Sequence, residues 1–285
     1  MALRSDQLRP PAAALVASSL AFAGFAWAGG DASPWDGDAR SVVRLIAGSA
    51  IDSVSAPIRA GVEIRLKPGW HTYWRYPGDA GVPPRFDFAQ SENVDAVSVL
   101  WPAPRRIAEQ GAVVLGYIDN VILPLAVVPK DTSKALVLHL KLDYAVCEKL
   151  CVPVQATAQL VLPPAPLPAN AALAAAHARV PKKRVLGAGP TLAIASVQRD
   201  ESSAVPRMFV DVAAPPGVEV ELFVEGPTAQ WALPVPRAIG TTAAGRQRFV
   251  FDLDGAPAGA AYKDAFVTLT AVAGDEAIEV SSRLP

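Results

Sequence analysis

Residues 136–162 read LVLHLKLDYAVCEKLCVPVQATAQLVL. Leu136–Leu142 and Thr157–Leu162 are short Val/Leu-rich runs of the kind that form β-strands. Between them stand the only two cysteines of the chain, Cys147 and Cys151. On a straight strand their Cα atoms would lie ~13 Å apart, whereas a disulfide needs less than ~7 Å. If the pair is bridged, the segment leaves extended geometry and curls, as a loop or a single helical turn. A bridge closing so few residues adds little loop-closure entropy, so stabilisation is a weak reason for it. A small exposed ring suits opening and closing by thiol–disulfide exchange. Three readings stay open on spacing alone: a surface disulfide stapling a hairpin, a redox pair, or two soft thiolate ligands for Cu(I). Zinc would want four ligands. Lys149 favours a thiolate and Glu148 opposes it; Pro153 ends the excursion.

The same kind of run repeats outward in both directions. Ser41–Ala47, Ile58–Leu66, Val94–Leu100 and Val121–Val128 precede the cysteines, each bounded by turn-forming residues. Pro163–Pro168 is a semi-rigid connector. Residues 170–180 are alanine-rich and predict one short helix with Asn170 as N-cap; the basic triplet Lys182–Arg184 then serves as its solvated end. A second series follows at Leu192–Gln198, Arg207–Val212, Val218–Val224, Gln247–Asp252, Ala265–Ala273 and Ala277–Ser281. The pattern predicts an all-β chain of two sandwich domains, 41–165 and 190–285, joined by a Pro-rich, partly helical linker over 166–189. Lengths of about 125 and about 95 residues suit seven to nine strands each. Residues 29–40 are polar and turn-rich and predict a flexible leader.

Residues 1–28 predict a signal peptide, with Arg4 and Arg9, an apolar run from Ala12 to Phe25, and Ala26-Trp27-Ala28 as a cleavage site. Past residue 30 no apolar run reaches the ~18 residues of a spanning helix, so no transmembrane segment is expected in the mature chain. Export places the cysteines where disulfides persist.

Composition removes several functions. With 26 Lys+Arg against 27 Asp+Glu the net charge is −1, without the basic stripe of a nucleic-acid binder. At 51% hydrophobic residues the chain is not a disordered one. Three histidines make a His-rich metal site hard to build. Hydrolase, zincin, P-loop and dinucleotide signatures are absent, and no cofactor is expected. Residues 69–84, GWHTYWRYPGDAGVPP, are dense in aromatics. His71 is expected to be a packed or rim residue, Tyr73 and Trp74 core or site-wall residues, and Asp79 a turn former. His139 and His177 are expected to be structural or solvated.

Residues 69–84, FDFAQSENV at 86–94, WPAPR at 101–105, GYIDNVILPL at 116–125 and YAVCEKLCVP at 144–153 occur in the order seen in a known family. Residues 41–165 resemble the N-terminal periplasmic domain of the thiol–disulfide interchange protein DsbD, in its ScsB-like branch. The resemblance implies an immunoglobulin-like fold for the first domain. The second resembles the two-domain N-terminal arrangement of that branch, which makes both sandwiches immunoglobulin-like. It implies a periplasmic, protein-disulfide reductase-type module, with Cys147 and Cys151 as the redox pair and Cys147 held in the mixed disulfide. Its partners would be a membrane thiol-relay protein and periplasmic thioredoxin-like or disulfide-isomerase proteins. Tyr144 and Tyr73 fall where the family has aromatic neighbours of the pair. Ile107, Ala108, Glu109, Gln110 and Gly111 fall where it has a shielding cap loop. Gln110 replaces an aromatic at the tip, so shielding by a ring is not expected. The family's membrane and thioredoxin-like domains have no counterpart in these residues, so electrons would come from a separate protein. The alternatives are a non-catalytic protein-binding sandwich with a structural disulfide, or a Cu(I)-binding protein of copper tolerance.

Overall fold

The computed structural model describes residues 30–48, 58–164, 167–200, 202, 205–260, 262 and 265–285. The expected signal peptide and residues 165 and 166 of the connector lie outside these. The first half carries β1 (Asp36–Gly37), β2 (Ser41–Ala47), β3 (Ile58–Leu66), β4 (His71–Gly78), β5 (Arg85–Asp87), β6 (Val94–Val99), β7 (Arg105–Glu109), β8 (Ala112–Ile118), β9 (Asn120–Pro129), β10 (Leu136–Cys147) and β11 (Cys151–Leu162). They form two sheets, β1-β2-β3-β9-β6 and β11-β10-β4-β8-β7, with β5 also on β10. After the helix α1 (Ala171–Ala178) come β12 (Lys182–Arg184), β13 (Ala193–Asp200), β14 (Arg207–Ala213), β15 (Val220–Glu225), β16 (Arg237–Thr241), β17 (Gln247–Asp252), β18 (Phe266–Ala273) and β19 (Glu276–Arg283). These pair as β12-β19-β18-β15 and β13-β14-β17-β16. The fold is all-β and immunoglobulin-like, with one short helix among the described residues.

Period-two alternation builds each core. In β2 and β3, Val43, Leu45, Val62 and Ile64 point inward; in β10, so do Leu136, Leu138, Leu140, Leu142 and Tyr144. Trp74 joins them, fully buried; burying an apolar side chain of that size contributes more than ~2 kcal/mol. A second cluster, including Met208, Leu222, Phe249, Leu269 and Ile278, fills the second sandwich. The inward parity of β10 is even-numbered, so Ala145 and Cys147 face the outer side of their sheet. This one fact positions the site.

Two expectations change. The leader is not loose: Ala32 bridges Ile46, Ser33 is buried with its Oγ accepting from Leu45 N, and β1 pairs β2. Its polar groups find backbone partners that a solvated leader would leave to water. Lys182–Arg184 is not a helix end but β12, paired in parallel with β19 and exposed. The aromatic stretch at 71–78 is a central strand, β4. The helix forms as expected, with Asn170 Oδ1 accepting from Leu173 N at its start and Leu173 buried on the first sandwich.

Candidate functional site

The cysteine excursion is a β-hairpin. Cys147 ends β10 and Cys151 begins β11, directly opposite one another in register with their Cα atoms 4.1 Å apart. Glu148, Lys149 and Leu150 make the three-residue loop, and a disulfide closes its base. The two sulfurs differ in exposure: Cys147 is fully buried, while Cys151 is exposed.

Register brings β4 alongside. His71 pairs Cys147 and Thr72 pairs Val146, while Thr72 Oγ1 donates to Ala145 O. Tyr73 shares the outer face with His71, two residues away. Its hydroxyl lies 2.9 Å from Cys147 Sγ and 3.1 Å from Cys151 Sγ. Gly81, at φ 106°, lays its backbone on the Tyr73 ring; a Cβ there would stand 2.4 Å from Cε1. The ring is thereby fixed beside the bridge.

The cap expected at 107–111 is a second hairpin, β7–β8. Its tip, Gln110-Gly111, has φ values of 47° and 90°, the paired left-handed geometry of a two-residue turn. Alternation on β7 sends Ile107 and Glu109 toward the cysteines and leaves Ala108 exposed. Ile107 packs on a small cluster of Tyr73, Val114, Ala145 and Cys147. Glu109 Oε2 lies 3.1 Å from His71 Nε2 and accepts from Tyr73 Oη at 3.2 Å. Its Oε1 is 3.0 Å from Cys151 Sγ. A disulfide sulfur carries no hydrogen, so this is a non-bonded contact that sets a carboxylate against the exposed sulfur. Gln110 Nε2 donates to Lys149 O at 2.9 Å and latches one hairpin tip to the other. The cap tip thus meets the bridge with an amide and a carboxylate, and the aromatic beside the sulfurs is Tyr73 of β4.

Burial, and after it the charge of Glu109, holds the Tyr73 phenol above its ordinary value of 10.0. The hydroxyl therefore stays protonated at neutral pH and is a permanent donor. Its one proton goes to the carboxylate while the bridge is closed, because a charged oxygen is a better acceptor than sulfur.

The sequence-derived residues divide. Cys147, Cys151, Tyr73, Ile107, Glu109 and Gln110 come together. Tyr144 does not: it stands three residues from Cys147, on the opposite face of β10, and its hydroxyl pairs with Ser41 Oγ at 2.7 Å in the core. Odd spacing along a strand reverses the side. Glu148 and Lys149 are exposed loop residues. Pro153 sits in β11 opposite Ala145, tolerated because β11 is an edge strand. His71, expected as a packed or rim residue, is in the site. The available signal is its i, i+2 relation to Tyr73, which puts both on one face once β4 is a strand.

Fold and site together define an immunoglobulin-like β-sandwich with a shielded, hairpin-borne cysteine pair. Residues 45–163 match the family described as thiol:disulfide interchange protein DsbD, N-terminal, so this part of the chain is a DsbD-like N-terminal domain. The crystal structure of the N-terminal periplasmic domain of ScsB from Proteus mirabilis is similar, with a TM-score of 0.66 at 20% identity. That likeness covers 89% of this chain and 98% of the other. No curated protein matches the chain significantly.

Proposed function

We propose that the protein is an exported thiol–disulfide exchange module acting in the periplasm. It passes reducing equivalents through Cys147 and Cys151 between a membrane thiol-relay protein and periplasmic thioredoxin-like or disulfide-isomerase partners. The observation that carries this reading is the asymmetry of the bridge: one exposed sulfur bonded to one buried sulfur, in a DsbD-like domain, with a neutral hydroxyl touching both.

That asymmetry favours Cys151 as the sulfur attacked, in place of the Cys147 that the resemblance implied. A partner thiolate bonds to Cys151 Sγ as the S–S bond breaks. Cys147 leaves as a thiolate, and the Tyr73 proton is at hand 2.9 Å away to stabilise it. A second partner thiolate then displaces Cys151. Two electrons have moved: the partner holds the new disulfide and this chain the dithiol. Reverse flow starts with the Cys151 thiolate attacking a partner disulfide, and Cys147 resolves the mixed species. Leu150 and Val82, 73% and 57% exposed, flank Cys151 with apolar surface for docking.

Equilibrium titration against glutathione or dithiothreitol tests the reading. The bond should be reducible at a potential above the ~−300 mV under which structural disulfides lie; a lower value overturns it. A Cys147→Ser variant should trap a partner on Cys151. A second reading, Cu(I) on the reduced pair, has one observation in its favour. A ring nitrogen of His71, a Glu109 oxygen and Cys147 Sγ lie within 4.8 Å of one another, which offers an imidazole beside the thiolates. Failure of the reduced protein to take Cu(I) from a chelator removes it.

A further inference from the structure

The strands that carry the site are gripped at their far ends by the C-terminal sandwich. On β4, two residues past Tyr73, Arg75 donates to Glu225 through Nε (2.9 Å) and a terminal nitrogen (2.6 Å), and to Glu279 (2.5 Å). Next to it, Tyr76 Oη lies 2.7 Å from Leu233 O and 3.1 Å from Trp231 O. On β7, three residues before Glu109, Arg106 donates to the carbonyls of Leu222 and Pro236, both at 2.8 Å. Its guanidinium stands over the Phe223 ring, 5.5 Å from the centroid. Asp79 accepts from Val113 N of β8 and from Val235 N of the C-terminal sandwich. Phe223 and Val235, though they belong to the second half of the chain, are buried in the first core, with Phe223 against Trp74. These contacts form a continuous polar and apolar seam between the two halves.

The contacts are also unevenly placed. They fall on β4 and on the β7–β8 hairpin, which together supply His71, Tyr73, Ile107, Glu109 and Gln110. β7 is the edge strand of its sheet, with β8 on one side only. Over the disulfide this edge hairpin is held by one amide hydrogen bond at its tip, Gln110 to Lys149, by Glu109 on His71 and Tyr73 and by Ile107 in its small apolar cluster. Its base is held by the seam.

We propose that the C-terminal sandwich is a buttress that keeps the cap hairpin closed over the Cys147–Cys151 bridge, and that Arg106 is the positioning residue through which it acts. This rests on the exchange reading for its purpose, but it is a statement about access and is tested without any partner. Opening the cap exposes Cys147 and withdraws the Glu109 carboxylate from Cys151. Both changes speed attack by a small thiolate. The seam therefore sets how well the bridge resists adventitious thiols before a docking partner lifts the cap.

The experiment is the rate of reduction of the full chain by excess dithiothreitol. Each turnover converts one dithiol to its cyclic disulfide and the bridge to two thiols. Arg106→Met keeps the aliphatic stem and removes the two carbonyl bonds. It should be reduced about tenfold faster than the wild type, a change equivalent to ~1.4 kcal/mol in the cap's opening equilibrium. Hydrogen exchange should accelerate at the amides of β7 and β8 and stay unchanged in β18 and β19. Arg106→Lys, which retains one donor, should fall between. Glu225→Gln loosens the seam from the other side and should also accelerate reduction; it decides the matter if Arg106→Met does not fold. Reduction rates of both folded variants within twofold of the wild type, with unchanged exchange in the cap, overturn the buttress. The exchange reading fails separately, if the wild-type bridge proves to have a structural potential.

Discussion

The two sandwiches share one construction and put their polar residues to different uses. Both bury alternate apolar residues between a pair of sheets. The first holds both cysteines and, on β4, the histidine that meets them; residues 190–285 contain neither residue type. The second turns several of its polar groups toward the first. Glu225 and Glu279 face Arg75, and the carbonyls of Leu222, Trp231, Leu233 and Pro236 receive donors from β4 and β7. Chemistry and support are thereby separated. The reactive bridge sits on the β10–β11 hairpin, while β4 and the cap strand β7 beside it are held by a unit that contains neither cysteine nor histidine.

The sharpest way to break that division is to remove the bridge. Cys147→Ser and Cys151→Ser should each abolish exchange completely, measured as loss of disulfide transfer to a thioredoxin-like protein. Unfolding should stay cooperative, because a loop this short contributes at most about 2 kcal/mol by chain entropy. A variant that no longer folds would place the bridge on the structural side.

Next in size is the seam. Arg75→Met leaves Glu225 and Glu279 facing one another with their shared cation gone. Breaking a largely buried pair costs about 3 kcal/mol or more, and denaturant unfolding should register it. The bridge itself should remain intact. An unchanged midpoint would mean that the seam is held by its apolar contacts and by the Tyr76, Arg106 and Asp79 hydrogen bonds, without the Arg75 ion pairs.

How much of this was legible differs between the same regions. The apolar runs of β2, β3 and β17 are legible to the residue, with Val43 and Leu45, Val62 and Ile64, and Phe249 and Phe251 each two apart on a buried face. β4 escapes this spacing: His71 through Gly78 is covered on both faces, by core on one and site on the other, so polar and aromatic residues run together. β8 reads as a continuous apolar run for the same reason, and Gly116 in it admits Thr72 O, 2.1 Å from where a Cβ would stand. In the site, the cysteine spacing announces a tight ring. The meeting of His71 with Glu109, 38 positions apart, depends on β4, β8 and β7 lying side by side, which no local pattern reports. Tyr144 misleads because a motif preserves neighbours in sequence while strand parity decides neighbours in space.

A smaller effect sharpens the contrast within the site. Glu109→Gln keeps the cap's shape and removes the charge held 3.0 Å from Cys151 Sγ. An incoming thiolate no longer meets a like charge, and small-thiol reduction should rise about tenfold, a change in the range expected for a partly screened pair. The same rate in both proteins would assign the shielding to Ile107 and the hairpin backbone.

The smallest effect separates the sandwiches by pH. Tyr73 in the first has its folded value raised above 10.0, by burial and then by Glu109. Its contribution to stability is whole below pH ~10, where the unfolded phenol is also neutral. It declines as pH rises further, because only the unfolded chain then releases the proton. Asp211 in the second is held below 3.8, first by its hydrogen bonds from Arg248. Its contribution is present above pH ~4 and is lost as pH falls through the folded value. Melting temperature against pH should therefore show Tyr73→Phe flattening only the alkaline limb and Asp211→Asn only the acid limb. Because the seam ties the halves together, each variant should shift one shared transition instead of splitting it in two.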